Sequence, residues 1–320
     1  MQTKLSTREA PSRRRCGSKR PDFFIVGAPK CGTSALTEYL AAHPDIYMAR
    51  KEMHFFGADL QFGPQFYRRS PQAYLAEFDA RDGQLRAGEA SVWYLFSREA
   101  AAEIKAFNSE ARILLMLREP SEMLYSLYHQ FRADGNEPLA TFQDALKAES
   151  ARRAGQGLSR QTYFPQGLIY REVALYTDQV RRYFELFGRD QVHVVIYDDF
   201  AADPAATYRA ATEFLGVDPS YQPESFKVIN GNKRVKHPAL RAVLGDPLVR
   251  GTALAFRPWL PGQLFAVLQR AEARLHKYNL QPGTREPLAP ELRAQLRREF
   301  APVIERLSAL LDRDLTHWSQ

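Results

Sequence analysis

A short apolar run in this 320-residue chain ends at Gly27 and leads through a second glycine, Gly32, directly into a helical pattern. Residues 22–26 predict a buried strand, and residues 33–42 predict a helix that stops before His43-Pro44. A glycine turn between a strand and a helix points backbone N–H groups toward the helix N-terminus, where they can hold an anion. The segment therefore predicts an anion-binding loop at the end of a strand.

The same alternation of apolar runs and amphipathic segments continues along the chain. We predict further strands at 46–48, 113–117 and 192–197, and helices at 71–78, 97–107, 120–131, 167–187 and 205–215. Strands separated by helices predict an α/β fold, a three-layer sandwich with a central parallel sheet. Ligands of such folds bind at the carboxyl ends of the strands. Gly27 and Arg118 each follow a predicted strand, so we expect them to share one crevice.

Two further stretches are less regular. The polar stretch 153–166 contains two glycines and predicts a mobile loop. The C-terminal part predicts helices joined through proline-containing turns. No strong domain boundary is visible, so residues 21–320 are expected to form a single domain with a helical C-terminal part.

Most of the net charge of +7 lies at the N-terminus, where residues 1–20 hold seven basic side chains and one acidic one. We expect residues 1–20 to form a solvated, disordered tail. Because the basic excess lies in this tail, it argues against a specific nucleic-acid surface. Peripheral contact of the tail with acidic lipid stays open. A non-enzymatic, polyanion-binding protein that acts through this tail is one alternative.

Cysteine content and hydropathy bear on location. Cys16 and Cys31 are too few for a disulfide framework, and no run approaches the roughly 20 apolar residues of a membrane span. The simplest expectation is a cytoplasmic protein without a membrane-spanning helix, while homo-oligomerisation stays open.

The position of the lysine in the glycine loop separates two classes of nucleotide site. In a triphosphate-binding loop of this spacing, lysine follows the second glycine directly. Here Thr33 follows Gly32, and Lys30 lies inside the loop. A kinase with such a loop is therefore disfavoured. An ordinary strand–turn–helix capped by Thr33 is the other alternative.

The complete string GAPKCGTS at 27–34 resembles the 5′-phosphosulfate element of the sulfotransferase superfamily that uses 3′-phosphoadenosine 5′-phosphosulfate (PAPS). The resemblance implies a P-loop-like sulfotransferase fold, the product 3′,5′-adenosine bisphosphate and no need for a metal. It also implies that Lys30 contacts the bridging region of the donor and stabilises the leaving phosphate. The donor-binding residues that it indicates are Lys30, Cys31, Gly32, Thr33 and Ser34, the last three at the 5′-phosphate.

A second element follows the strand at 113–117. Arg118 stands at the strand end, and Ser126 lies on the helix that Pro120 opens. An arginine at a strand end can bind a phosphate through two hydrogen bonds. The pattern is similar to the 3′-phosphate element of the same superfamily. The alternative is a structural arginine that pairs with Glu119 or Glu122.

The string KEMHFF at 51–56 resembles a segment of the heparan-sulfate-type branch of the superfamily. The resemblance implies that Glu52 is the general base, and an apolar crevice would raise the pKa of its carboxyl. His54 is the second candidate, because histidine titrates near neutral pH. The alternatives are an ion pair of Glu52 with Lys51 or Arg50, and a histidine packed for structural reasons.

Residues 88–94 resemble the segment that lines the acceptor cleft in that branch. Heparan-type enzymes carry a lysine where Ala90 stands, which weakens the case for a highly sulfated glycan. Trp93 and Tyr94 are candidates for stacking on a sugar, and core packing is their alternative. The acceptor class therefore stays open among a carbohydrate, a glycolipid and a small metabolite, with a hydroxyl favoured over an amine.

A basic loop at 230–238 stands where related enzymes fold a loop over the donor phosphates, although a solvated loop is the alternative. Its candidate residues are Lys233, Arg234 and Lys236. Residues 167–170 resemble a Gly-x-x-Tyr helix start of the family, which assigns Tyr170 to the adenosine side. No His, Cys or Asp cluster shows metal-ligand spacing.

Overall fold

The computed structural model describes residues 20–63, 70–226, 233–235, 278, 280–282 and 286–320. The predicted tail, except for its last residue, and Lys236 lie outside the described residues.

Five parallel strands form the centre of the protein, which confirms the predicted α/β class. They are β1 (Phe23–Gly27), β2 (Ile46–Met48), β3 (Arg86–Ala90), β4 (Arg112–Leu117) and β5 (Val192–Ile196), in the order β2-β3-β1-β4-β5. Strands β1 and β4 are almost wholly buried, as expected for a parallel sheet that is covered on both faces. Because β1 lies between β3 and β4, the loops that follow these three strands meet at one edge.

Helices flank the sheet. Those in the described residues are α1 (Thr33–Ala41), α2 (Pro71–Ala76), α3 (Ala100–Phe107), α4 (Pro120–Asp134), α5 (Phe142–Lys147), α6 (Glu149–Arg153), α7 (Tyr170–Val173), α8 (Tyr176–Phe187), α9 (Tyr197–Ala202), α10 (Pro204–Leu215) and α11 (Pro290–Leu311). Short 3₁₀ helices occur at Gln166–Leu168, Arg189–Gln191 and Thr316–Ser319, and β6 (Lys233–Val235) pairs with β7 (Leu280–Pro282) in an antiparallel ladder. Within the described ranges, none of the helices has the length and apolar character that a bilayer crossing requires.

The single helix predicted over 167–187 is wrong, because the chain leaves the helical conformation at Ile169 and again at Leu175. The side-chain amide of Gln179 donates to the carbonyls of Glu172 and Val173, both at 3.2 Å. This side chain supplies partners for carbonyls at the second break, so three short helical pieces replace one long helix.

The stretch 153–166 is anchored at its C-terminal end by Asn136. The Asn136 side chain accepts from the backbone N–H groups of Tyr163 and Phe164 and donates to the carbonyl of Phe164. The Thr162 hydroxyl donates to the Asn136 carbonyl at 3.2 Å. One buried amide therefore fixes the part of this predicted mobile loop that lies nearest α7.

A buried ion pair joins the chain after α4 to α6. Arg152 donates to both carboxylate oxygens of Glu137 at 2.7 and 2.8 Å, and both side chains are 0% exposed. The Tyr170 hydroxyl and the Leu139 N–H donate to the same carboxylate at 3.0 and 2.8 Å. Such a pair is well compensated while it is intact, and it leaves a buried charge when one partner is lost.

The last long helix, α11, continues through Pro302 as one piece. It packs against α8 and α4. The chain beyond it is held by Trp318, whose indole N–H donates to Asp198 at 2.6 Å. The C-terminal helix thus packs against α8 and α4, and the part of the predicted C-terminal helices before residue 278 lies outside the described residues.

Candidate functional site

Both glycines of the loop after β1 are required by their surroundings. Gly27 has a φ of 150°, and a Cβ there would lie 2.6 Å from the Val92 carbonyl oxygen and 2.7 Å from the Leu95 Cβ. Gly32 has a φ of 91°, and a Cβ there would lie 3.0 Å from the Phe200 ring. Gly32 is also the N-cap residue of α1. The loop therefore passes close to its neighbours and presents backbone, rather than side chains, at the start of the helix.

The two hydroxyl residues that open α1 are held by Lys51. Its ammonium group donates to the Ser34 hydroxyl at 2.6 Å and to the Thr33 hydroxyl at 3.3 Å. The same group lies 3.5 Å from the Glu52 carboxylate, and burial lowers the pKa of Lys51. Lys51 links the helix start to the neighbouring segment, a role that sequence reasoning missed although Lys51 belongs to the quoted string.

Glu52 and His54 lie side by side on the segment after β2. One oxygen of Glu52 accepts from the Val92 N–H at 3.2 Å and lies 3.8 Å from the His54 Nε2. Both residues have positive φ angles, 60° and 49°, a conformation that non-glycine residues seldom adopt. The surrounding structure therefore holds both side chains in an unusual backbone geometry.

Burial shifts the pKa values of Glu52 and His54 in opposite directions. Burial raises the pKa of Glu52, and the nearby Lys51 ammonium opposes that rise; 33% of the Glu52 side chain stays exposed. Burial lowers the pKa of His54 to about 4, and its ring packs 4.3 Å from that of Phe62. Glu52 is thus the partly accessible group with strengthened proton affinity, and His54 is a packed, neutral side chain at physiological pH.

A buried carboxylate supports this segment from β3. Glu89 is fully buried and accepts from the hydroxyls of Tyr74, Ser91 and Tyr94 at 2.6 to 2.7 Å. The Ser91 hydroxyl accepts from the His54 N–H at 3.2 Å. The Tyr94 hydroxyl accepts from the backbone N–H groups of Phe55 and Phe56 at 2.8 and 3.2 Å. The network fastens residues 54–56 to the core strand.

This placement agrees with core packing, the alternative to sugar stacking, for two aromatic residues. Tyr94 is 0% exposed, and its hydroxyl is committed to the Glu89 network. Trp93 is almost fully buried, stacked on Phe131 with ring centroids 6.0 Å apart and packed edge-on to Phe164. Both therefore belong to the hydrophobic core.

Arg118 follows β4, beside the loop that follows β1. Its guanidinium lies 4.6 Å from the Tyr197 ring centroid and 3.4 Å from the Glu122 carboxylate. Glu119 instead caps α4 by accepting from the N–H groups of Ser121 and Glu122. Arg118 therefore pairs with Glu122, as the structural alternative predicted. Its guanidinium nevertheless remains partly exposed.

Ser126 lies one helical turn beyond Glu122, on the same side of α4. The backbone of β6, which contains Lys233 and Arg234, lies beside α4 as well. Helix α4 therefore carries the predicted serine and borders the short strand of the predicted basic loop.

Cys31 lies buried in the loop after β1, near Arg118. Its thiol is fully buried and donates to the Pro29 carbonyl at 3.3 Å, and burial raises its pKa to about 12. The side chain is therefore structural, so Cys31 can meet a ligand only through its backbone.

Lys30 leans toward α4. Its ammonium group donates to Gln130 at 3.3 Å, and the Gln130 amide donates to Asp134 at 3.2 Å. The φ of Lys30 is 62°, a conformation that non-glycine residues seldom adopt. Gln130 was not predicted, although its position four residues after Ser126 places it on the same helix face.

Tyr170 lies in the core of the protein. It is 0% exposed, and its hydroxyl donates to Glu137 in the buried ion pair. Burial and the carboxylate together raise the pKa of Tyr170. The predicted contact of Tyr170 with the adenosine side would thus have to compete with this buried hydrogen bond.

One edge of the sheet thus brings together N–H groups at the α1 start, the Lys30, Lys51 and Arg118 cations, and the Glu52 carboxylate. Such a set can bind an anion with more than one phosphate and accept a proton beside it. In the described ranges, no group of three or more His, Cys, Asp or Glu residues could hold a metal ion.

Comparisons with known proteins bear on the family of this chain. The family model described as "Sulfotransferase domain" matches residues 20–242. A solved structure of a sulfotransferase from Alicyclobacillus acidocaldarius is 33% identical, with a TM-score of 0.69 over 94% of this chain and 99% of that one.

Curated relatives match a shorter segment. Heparan sulfate glucosamine 3-O-sulfotransferase 3A1 from Mus musculus is 28% identical over 204 residues, which cover 63% of this chain and 47% of that protein. Carbohydrate sulfotransferase 15 from Rattus norvegicus is 26% identical over 250 residues, covering 62% and 44%. The matches thus span less than half the length of these two relatives.

Proposed function

The chain belongs to the sulfotransferase family, and from that premise we propose that it transfers a sulfuryl group from PAPS to a hydroxyl group of a carbohydrate. A glycolipid or a small metabolite is the next acceptor class, and an amine is less favoured than a hydroxyl. The meeting of the α1 start, Arg118 and Glu52 at one edge of the sheet carries the proposal. The names of the curated relatives support the carbohydrate class.

The residues present fit a donor with phosphate groups at two positions. Gly32 presents the start of α1, and the hydroxyls of Thr33 and Ser34 lie beside the Lys51 ammonium, so this end suits a 5′-phosphosulfate. Arg118, partly exposed at the end of the neighbouring strand, suits a 3′-phosphate. PAPS, when bound, supplies an activated sulfuryl group and a phosphate leaving group.

The residues of the chain then have distinct tasks. Glu52 accepts the proton of the acceptor hydroxyl at its carboxylate, since its raised pKa strengthens that proton affinity. Lys30 and Lys51 place positive charge beside the leaving phosphate. Val92 and Lys51 hold the Glu52 carboxylate in position through a hydrogen bond and an ion pair. Pairing with Gln130 orients the Lys30 ammonium toward α4.

Transfer should depend on pH in the way that a buried carboxylate base dictates. Because Glu52 must be deprotonated to act, and burial raises its pKa, the rate should fall with decreasing pH already above the ordinary glutamate value of 4.5. The measurement is the pH profile of single-turnover transfer from radiolabelled PAPS. In His54→Asn the acid limb should stay in place, whereas a limb near pH 4 that vanishes in this variant would move the base to His54.

Donor binding is tested by calorimetry with 3′,5′-adenosine bisphosphate. Arg118→Ala should weaken this binding by about tenfold to a hundredfold, the range expected for a charge-assisted hydrogen bond to phosphate. Arg209→Ala, which removes an exposed arginine of α10, is the matched control and should bind like the wild type. A wild type that binds Mg²⁺-ATP but not the bisphosphate would support a kinase and overturn the proposed function.

A further inference from the structure

Helix α11 brings a second arginine to the Arg118 element. The Arg293 guanidinium lies 2.7 Å from one oxygen of the Glu122 carboxylate, and Arg118 lies 3.4 Å from the other. Two guanidinium groups from distant parts of the sequence therefore flank one carboxylate. All three side chains are partly exposed, Arg293 at 30%, so the cluster is open to solvent and to a ligand.

The negative charge of the Glu122 carboxylate would repel a phosphate bound beside Arg118. Arg118, Glu122 and Ser126 follow one another at intervals of four residues, so Glu122 lies between the two groups proposed to hold the 3′-phosphate. Arg118 and Glu122 alone would cancel each other's charge. Arg293 restores a net single positive charge to the cluster, and its short contact with Glu122 competes with the longer contact from Arg118.

A neighbouring contact shows that α11 is docked on α4 in a defined register. Arg297, one turn after Arg293, lies 3.8 Å from Glu119, the residue that caps α4. The two arginines thus face the first turn of α4 from the same side of α11. Helix α11 lies outside the residues that the family model matches, so no motif of that match assigns either arginine.

We propose that Arg293 is a positioning residue for the 3′-phosphate subsite, and the inference rests on the proposed function. By pairing with Glu122, Arg293 releases Arg118 to bind the 3′-phosphate of an adenosine nucleotide. The chain consequently prefers a nucleotide with a 3′-phosphate to one without it. The preference for a 3′-phosphate thus depends on α11, which meets the proposed site beside Arg118.

The experiment compares 3′,5′-adenosine bisphosphate with adenosine 5′-monophosphate by calorimetry on the full chain. Arg293→Gln should weaken bisphosphate binding about tenfold or more, because Glu122 then retains Arg118 and repels the phosphate. Binding of the monophosphate should change less than about twofold, because it leaves this subsite empty. Arg298→Gln is the matched control, since it removes an exposed arginine from the same helix, and it should leave both affinities unchanged.

A second variant separates positioning from a general loss of packing. In the double variant Arg293→Gln/Glu122→Gln, the carboxylate that captures Arg118 is gone, so bisphosphate affinity should recover to within about threefold of the wild type. Thermal unfolding followed by circular dichroism checks that every variant is folded. Damage to the docking of α11 would lower both affinities and would not be rescued.

The outcomes distinguish the inference from the function on which it rests. A wild type without a preference for the bisphosphate overturns the proposed function and this inference together. If the wild type prefers the bisphosphate and Arg293→Gln keeps that preference, the inference alone fails. It also fails if the variant loses both nucleotides equally or if the double variant shows no recovery.

Discussion

Replacing Glu52 with glutamine is expected to lower sulfuryl transfer by about 10²- to 10⁴-fold, the usual contribution of a general base, while nucleotide binding is retained. The amide has nearly the same shape, so it can still accept the hydrogen bond from the Val92 N–H. It cannot take up a proton from the acceptor. The ion pair with Lys51 is lost as well, which leaves that ammonium to its contacts with Ser34 and Thr33.

The measurement is single-turnover transfer from radiolabelled PAPS to a panel of polysaccharides, glycolipids and small hydroxylated metabolites. Calorimetry with 3′,5′-adenosine bisphosphate on the same variant checks that the donor site is intact. Glu99→Gln changes an exposed glutamate in front of α3 and should behave like the wild type. A Glu52→Gln variant with full activity would remove this residue from the role of base.

The second large effect concerns stability. Arg152→Met should lower the free energy of unfolding by about 3–5 kcal/mol, because the Glu137 carboxylate then remains buried without its counter-charge. The Tyr170 hydroxyl and the Leu139 N–H still donate to the carboxylate, but neither carries a charge. The measurement is chemical denaturation followed by circular dichroism.

The adjacent residue provides the control. Arg153 pairs with Glu172 at the same 2.7 Å separation, but its side chain is 49% exposed. Arg153→Met should therefore cost only about 0–1 kcal/mol. Equal losses in the two variants would contradict the explanation by burial. Combining Arg152→Met with Glu137→Leu should recover part of the loss, because no uncompensated charge remains.

The parts of the fold that sequence predicted well are those with a local signal. The apolar run before Gly27 and the run before Arg118 each became a buried parallel strand. Strand β3 was missed because Gly88 reads as a strand breaker. In the structure, a Cβ on Gly88 would lie 2.1 Å from the Phe23 ring, so the glycine is what allows the two central strands to pack. Such a requirement is visible only when both strands are in place.

The same limit applies to the site. Lys30 and Glu52 could be proposed from short strings, since each lies within a few residues of the groups that define its motif. The Tyr170 hydroxyl is held in the core by its hydrogen bond to Glu137. The contact of Arg293 with Glu122 depends on the docking of α11. These are contacts between distant segments, which neither periodicity nor spacing encodes. Short motifs therefore indicated the proposed donor edge, while tertiary packing decided which neighbouring residues surround it.

The fastening of residues 54–56 to Glu89 has a consequence for how acceptor preference can change. The hydroxyls of Ser91 and Tyr94 anchor this segment to a core strand, whereas residues 59–63 are tied to the separate stretch around Tyr163 and Gln166. The proposed base, Glu52, is likewise held by Ala90 and Val92 of the scaffold and not by the surface connections beside it. Changes confined to 156–161, where the described hydrogen bonds run to neighbours at 151–162, should therefore leave the fastening of residues 54–56 intact.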